Sequence, residues 1–293
     1  MKMTTREKLV ERTLTLLRER GKNALEVAKQ SILQERIEYK PLQEALRYFM
    51  DEFFKDVMHP GLLSIYCEAV GGDPDETTQV GAAMVLLVGA ADLHDDIIDQ
   101  STTKNGKPTV FGKFGRDVTV LAGDALLIKG VFLLFEATAI LPENSKRAIL
   151  RLITQAFFDL SSAEAEEASL RGKNDLSGRE YLEILKRKTA VSEATARIGA
   201  ILGEGTPSEV GTIGEIGHIL GLLNTMRDEF IDVFEPDELS NRAAREILPL
   251  PVLNIFQDPK KKDEIFKLLK RRKITRQETE RILDIVMEAT ETK

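Results

Sequence analysis

Tryptophan is absent from the 293 residues, aromatic side chains make up only 6%, and there is a single cysteine, Cys67. One cysteine excludes an internal disulfide framework, so the fold must rest on its core. Cys67 sits among apolar neighbours in "LLSIYCEAV" and reads as a small core filler rather than a nucleophile. No Pro/Gly/Ser-rich linker, low-complexity tract or short repeat interrupts the chain. That argues for one domain over residues 1–293 and against a solenoid. Excess basic charge is missing too: 48 acids face 41 bases, for a formal net charge of −7. General nucleic-acid binding, which needs a basic surface, is therefore excluded. The strongest basic run, "KLLKRRK" (267–273), is answered by acids on both sides and reads as a solvated helix face. The longest apolar stretch, "VGAAMVLLVGAA" (80–91), falls short of the roughly 20 residues that span a bilayer. The N-terminus is charged and amphipathic, without the apolar centre of a signal peptide. These absences predict a soluble, cytoplasmic protein with no transmembrane segment.

What is present has a helical period. "LVERTLTLL", "PLQEALRYFMDEFF", "AILRLITQAFFDL", "YLEILKRKTAVSEATARIGAIL" and "ERILDIVMEA" repeat apolar residues at three- and four-residue steps. Convincing alternating strands are lacking. Turn signals such as "GGDPDE", "KNGKP", "LPEN" and "FEPDE" divide the chain into roughly ten to thirteen helices. The reading is an all-α bundle packed from Leu, Ile and Ala.

Acids cluster at the end of the most apolar segment, in "GAADLHDDIIDQ" (89–100). On a helix, Asp95 and Asp99 share a face, with Asp96 alongside through its i+3 relation to Asp99. Like charges this close destabilise unless a cation sits among them. Mg²⁺ takes oxygen ligands and keeps waters and substrate phosphates in its shell. The plainer alternative is a solvated acidic helix end. A second cluster, in "LLNTMRDEFIDVF" (222–234), repeats the arrangement with Asp228 and Asp232 four apart and Glu229 between them. Two such helices facing one another would frame a carboxylate-lined mouth over an apolar interior, suited to Mg²⁺, a diphosphate and a hydrophobic tail. Between them, Lys188 and Thr189 in "LKRKTAV" could meet a diphosphate as charge and hydroxyl. Either could equally be an ordinary surface residue.

From about residue 40 to 256 the chain resembles the trans-isoprenyl diphosphate synthases of the polyprenyl synthetase family. The resemblance is carried by "LHDDIID" (93–99), "GKPTVFGKFG" (106–115), "LAGDALL" (121–127), "YLEILKRKTA" (181–190) and "RDEFIDVF" (227–234), in order and spacing. It implies the all-α isoprenoid synthase bundle, one domain around a central prenyl-binding cavity, usually a homodimer. It also implies Mg²⁺-assisted loss of diphosphate from an allylic prenyl diphosphate, followed by attack of an alkene on the allylic cation. Carried over by position, Asp95, Asp96, Asp99, Asp228 and Asp232 become metal ligands and catalytic residues. Glu229 stands where the family usually has a second Asp and joins the ligand set. Lys188 and Thr189 match the lysine-threonine pair of the allylic site, with Lys188 also counted as catalytic. Ala90 and Ala91, then Leu87 and Met84, would line the tail pocket one and two turns before Asp95.

The resemblance fails in the pocket for the second substrate, isopentenyl diphosphate. The usual Gly-Lys-Arg-x-Arg-Pro stretch aligns with "KDVMHP" (55–60), so that Asp56 replaces a lysine and His59 an arginine. The His or Gln seven residues before the first motif is Val88. The paired arginines before "GKPT" become Lys104, which keeps one positive charge for substrate, and Asn105. Beyond the second motif, Arg245 is the candidate for a retained cation. An aspartate where a diphosphate needs a cation is unfavourable. Three functions stay open: a prenyltransferase with an altered acceptor, a terpene-cyclase-like enzyme, or a non-catalytic prenyl diphosphate-binding subunit of a heteromeric synthase. The partner is then a second copy or another synthase subunit.

Overall fold

A computed structural model describes residues 4–104, 106–172, 176–269 and 274–290; Asn105 and positions 270–273 of the basic run lie outside the described residues. The chain is all-α, as its periodicity predicts. Its helices are α1 (Thr5–Leu33), α2 (Lys40–Tyr48), α3 (Met58–Ala69), α4 (Thr78–Ile98), α5 (Val110–Phe114), α6 (Arg116–Thr138), α7 (Glu143–Ser169), α8 (Gly178–Lys188), α9 (Ala190–Leu202), α10 (Pro207–Phe234), α11 (Pro236–Arg245), α12 (Leu250–Leu253), α13 (Pro259–Leu269) and α14 (Arg276–Thr290). A π-helical turn, Phe49–Phe53, extends α2. One short antiparallel ribbon, missed by the sequence reading, pairs β1 (Thr103–Lys104) with β2 (Lys107–Pro108). Two compact units emerge: residues 1–153 with 194–217, and residues 154–193 with 218–293.

In the first unit, α4 is the central element, packed against α1, α3 and α6. It is buried nearly all round: Val80, Ala82, Ala83, Met84, Val85, Leu86, Ala90 and Leu93 are all inaccessible. That explains why its sequence reads as a continuous apolar run rather than an amphipathic stripe. Fully burying each Val, Leu or Met contributes about 1.5–3 kcal/mol. The α4–α6 approach depends on a missing side chain. A Cβ on Gly123 would fall 2.4 Å from His94 Nε2, which lies 3.4 Å from Asp124 Oδ1. Cys67 is fully buried, and burial pushes its thiol up to about 11, in keeping with a core filler.

The second unit packs α12 against α8 and α14, and α13 and α11 against α14. Its core joins Val233, Leu239, Val252, Ile255, Ile265, Ile282 and Ile285. Helix α8 starts with a reciprocal cap. Ser177 Oγ accepts from the Glu180 amide while Glu180 Oε2 accepts from the Ser177 amide. Such caps contribute about 1 kcal/mol and set where the helix begins.

The apolar positions before the first motif divide differently from expectation. Leu86, Ala90 and Leu93 form a buried row on α4, whereas Leu87, Ala91 and Asp95 form a partly accessible one. Ala90 and Met84 are thus buried here, and Ala91 and Leu87 are partly accessible. One residue along a helix turns the side chain by about 100°, enough to move it from wall to core. Ala90→Phe should overpack and destabilise by about 1–3 kcal/mol, whereas Ala91→Phe should cost far less. Thermal melts of the two variants decide this; equal losses would place both on one surface.

Candidate active site

The first acid cluster closes α4. Asp96 is completely buried, Asp95 and Asp99 are half-buried, and Asp99 serves as the helix C-cap. A buried carboxylate demands a cation, and β1 supplies it. Lys104 Nζ lies 2.7 Å from Asp96 Oδ1 and 3.1 Å from Asp92 Oδ1. Burial drives the Asp96 carboxyl upward, Lys104 pulls it back, and Asp92 and Asp95 push it up again, so that it rests at about 6. The turn carrying Lys104 is pinned. Ser101 N–H donates to Asp96 O, Thr109 Oγ1 donates to Ser101 O, and Thr109 N–H donates to Thr102 O. Gln100 takes φ 55°, a left-handed conformation that is uncommon outside glycine and is found here directly after the motif.

The second cluster lies in the other unit. Asp228 is exposed and pairs with its neighbour Arg227, whose Nη2 is 2.7 Å from Asp228 Oδ1. Glu229 is buried and saturated. Its Oε1 accepts from Tyr181 Oη at 3.0 Å and Arg242 Nη2 at 2.9 Å, and its Oε2 accepts from Leu250 N–H at 2.7 Å. Arg242 also donates through Nη1 to Asp232 Oδ2 at 2.6 Å and through Nε to Ile247 O at 2.7 Å. Asp232 rises to about 6, because burial, Glu238 and Glu229 outweigh the Arg242 charge.

Lys188 ends α8 between two glutamates of α7: Glu164 Oε1 is 3.1 Å away, and Glu167 pairs with it as well. Burial pushes Glu167 up, but Lys188, Arg242 and Tyr181 together outweigh it and hold that carboxyl below its ordinary range. Glu167 Oε1 also lies 3.1 Å from Tyr181 Oη and shares that single phenol proton with Glu229. Thr189 is buried; its hydroxyl donates to Lys186 O at 2.6 Å and lies 2.9 Å from His218 Nδ1.

Sequence reasoning missed Arg242, Tyr181, Glu164 and Glu167. Tyr181 stood inside a quoted motif, but its spacing to Glu229 is 48 residues. Arg242 carries no local signal linking it to Glu229, and the cation expected near Arg245 is three residues earlier, Arg245 itself being exposed.

The sequence pattern of the Polyprenyl synthetase family matches residues 40–286. The chain belongs to that family. Over 183 residues it is 31% identical to a short chain isoprenyl diphosphate synthase of Methanothermobacter thermautotrophicus, covering 62% of this chain and 55% of that protein. Over 213 residues it is 28% identical to a geranylgeranyl diphosphate synthase of Sulfolobus acidocaldarius, covering 72% of this chain and 62% of that one. The chain thus spans less than two thirds of these relatives. The solved geranylgeranyl pyrophosphate synthetase of Pyrococcus horikoshii superposes with a TM-score of 0.82 over 95% of this chain and 86% of its own, at 26% identity.

In this member of the family, Asp56 has a local role. Its Oδ1 accepts from Met58 N–H at 2.8 Å and His59 N–H at 3.2 Å, capping the first turn of α3. Its Oδ2 lies 2.6 Å from His59 Nδ1. Asp56 and His59 thus neutralise each other. Burial would raise Asp56, but His59 and the two amides hold it below its ordinary value. Burial would lower His59, but the Asp56 charge raises it above its ordinary value. The signs define a window. The Asp56 contribution is present above its unfolded pKa and lost as pH falls through its depressed folded value. The His59 contribution is full below its unfolded pKa and lost as pH rises through its raised folded value. The pair should therefore stabilise most between about pH 4 and 6.5. Urea unfolding of wild type and His59→Gln should differ by about 1–3 kcal/mol at pH 5.5 and much less at pH 9; an equal gap at both would mean that the pair is not charged.

Proposed function

We propose that the chain is a prenyltransferase that binds an allylic prenyl diphosphate with Mg²⁺ and ionises it, acting in the cytoplasm on an atypical acceptor. The reading rests on one observation: in each cluster a single buried or half-buried cation is shared between two neighbouring carboxylates, Lys104 by Asp92 and Asp96 and Arg242 by Glu229 and Asp232. Lys104 faces Asp92 and Asp96, with Asp95 and Asp99 on the same helix end. Arg242 faces Glu229, Asp232 and Glu246, with Asp228 beyond it. The donor set is hard oxygen, which fits Mg²⁺. Among the described residues, no three acidic, histidine or cysteine side chains already stand together as a metal group. Asp95, Asp96, Asp99, Asp228, Glu229 and Asp232 are the candidate holders, with diphosphate oxygens and water completing each shell. When bound, Mg²⁺ would stabilise charge on the departing diphosphate. Lys188 would add a cation at the allylic diphosphate, shared with Glu164 and Glu167. Leu87 and Ala91 would present apolar surface to the tail.

The acceptor side carries the departure. Isopentenyl diphosphate needs several cations, each charge-assisted bond contributing about 1.5–3 kcal/mol, yet His59 is already committed to Asp56 and Lys104 to Asp92 and Asp96. Asp95→Asn and Asp228→Asn should each weaken Mg²⁺-dependent binding of an allylic diphosphate by about two orders of magnitude, as expected when a charged contact is lost. Wild type should incorporate little radiolabelled isopentenyl diphosphate with any primer. Unchanged binding in both variants would reduce the clusters to solvated helix ends. Efficient incorporation at micromolar isopentenyl diphosphate would restore ordinary elongation, and binding without diphosphate release would leave the non-catalytic subunit.

A partner subunit accounts for α6. Leu121, Ile128, Phe132 and Phe135 form one exposed stripe along it. The helix is long and apolar enough to cross a bilayer by length and composition alone, with a third of that segment buried. Asp117, Asp124 and Glu136 are also exposed on it, and burying them in lipid would be costly. A second synthase chain, identical or related, covers the stripe at lower cost. Sedimentation should give a dimer for wild type and a monomer for Phe132→Asp; a wild-type monomer at micromolar concentration would leave a different synthase subunit as the partner to test.

A further inference from the structure

The second acid cluster divides its labour. Glu229 has no accessible face, and its carboxylate oxygens receive three donors from three separate elements: Tyr181 on α8, Arg242 on α11 and the first amide of α12. A metal could reach Glu229 only by stripping those donors from a buried carboxylate, which is expensive. Asp228 and Asp232 are placed differently: their side chains are 53% and 23% exposed, against 7% for Glu229. Tyr181 is the pivot. It meets Glu229 and Glu167 and accepts from Arg242 Nη2 at 2.9 Å. Burial pushes its phenol pKa far up, so it remains a donor. Through Tyr181 one network runs from Lys188 by way of Glu167 to Glu229 and Arg242, and from Arg242 to Asp232. Every member lies in the same unit.

We infer that Glu229 is a positioning residue rather than a metal ligand, and that Tyr181 and Arg242 form the anchor that orients Asp232 and, through Glu167, Lys188. This rests on the reading of the site as an Mg²⁺-diphosphate site. Glu229 fixes Arg242, Arg242 aims at one oxygen of Asp232, and the metal is left to Asp228 and Asp232. The anchor substitutes buried arginine bonds for the repulsion that three neighbouring acids would otherwise suffer.

The test titrates Mg²⁺ calorimetrically into each protein with a non-ionising thiodiphosphate analogue of an allylic substrate, alongside thermal melts. Tyr181→Phe keeps the ring and removes the pivot. It should raise the half-saturating Mg²⁺ by about three- to tenfold, the size expected for one net hydrogen bond, while keeping full binding at saturation. Ile265→Val, in the core of the same unit, should lower the melting temperature but leave the Mg²⁺ requirement alone. Glu229→Gln should shift Mg²⁺ no more than Tyr181→Phe, whereas Asp228→Asn should lose about a hundredfold. Glu229→Gln matching Asp228→Asn would make Glu229 a ligand. Tyr181→Phe matching Ile265→Val would make the network purely structural. Either result overturns the inference while leaving the functional reading in place. Failure of wild type to bind the analogue with Mg²⁺ would overturn that reading, and this assignment with it.

Discussion

A carboxylate withdrawn from water needs positive partners within a few ångströms, or it stays protonated. This member of the polyprenyl synthetase family places acids side by side on two helices, and much of its local architecture supplies the partners. Lys104 is brought to Asp96 by a four-residue ribbon, Arg242 to Glu229 and Asp232 by a helix ten residues further on, and Lys188 to Glu164 and Glu167 by the end of α8. The pairing does not return every acid to its ordinary range. Asp96 and Asp232 both remain near 6 despite their cations, because burial and neighbouring acids outweigh a single positive charge.

The same constraint shapes the backbone. The turn after α4 accepts a left-handed Gln100, which costs on the order of 1 kcal/mol, and several hydrogen bonds hold it so that Lys104 can turn back. Gly123 gives up its side chain so that His94 can lie against α6. Elsewhere a charge that looks misplaced beside the family pattern has a local use. Asp56, aligned with a lysine of the family pattern, accepts from the first amides of α3 and holds His59.

Burial also sorts residues of one type into different roles. Asp96 and Glu229 stand in the two motifs, where spacing alone treats them as equals of Asp95 and Asp228. Both side chains are buried: Glu229 is hydrogen-bonded through both oxygens, and Asp96 is paired with Lys104 through Oδ1. Ala90 and Ala91 differ in the same way, one residue apart, one in the core and one on the accessible row.

The all-α class, the buried nature of Cys67, the apolar character of α4 and the family were legible in the sequence, because helical periodicity and motif spacing are local properties. So were both acid clusters and Lys188, since residues three and four apart on a helix must share a face. The partners were not legible. Arg242 lies 61 residues from Tyr181, and Lys104 reaches Asp92 only because two short strands fold back. The exposed stripe of α6 was hidden for the same reason: its apolar residues look like core until the packing leaves them uncovered. Spacing along the chain determined which carboxylates would gather. Only the tertiary structure decided which of them a cation already holds, because ion pairing falls off within ångströms and is indifferent to separation in sequence.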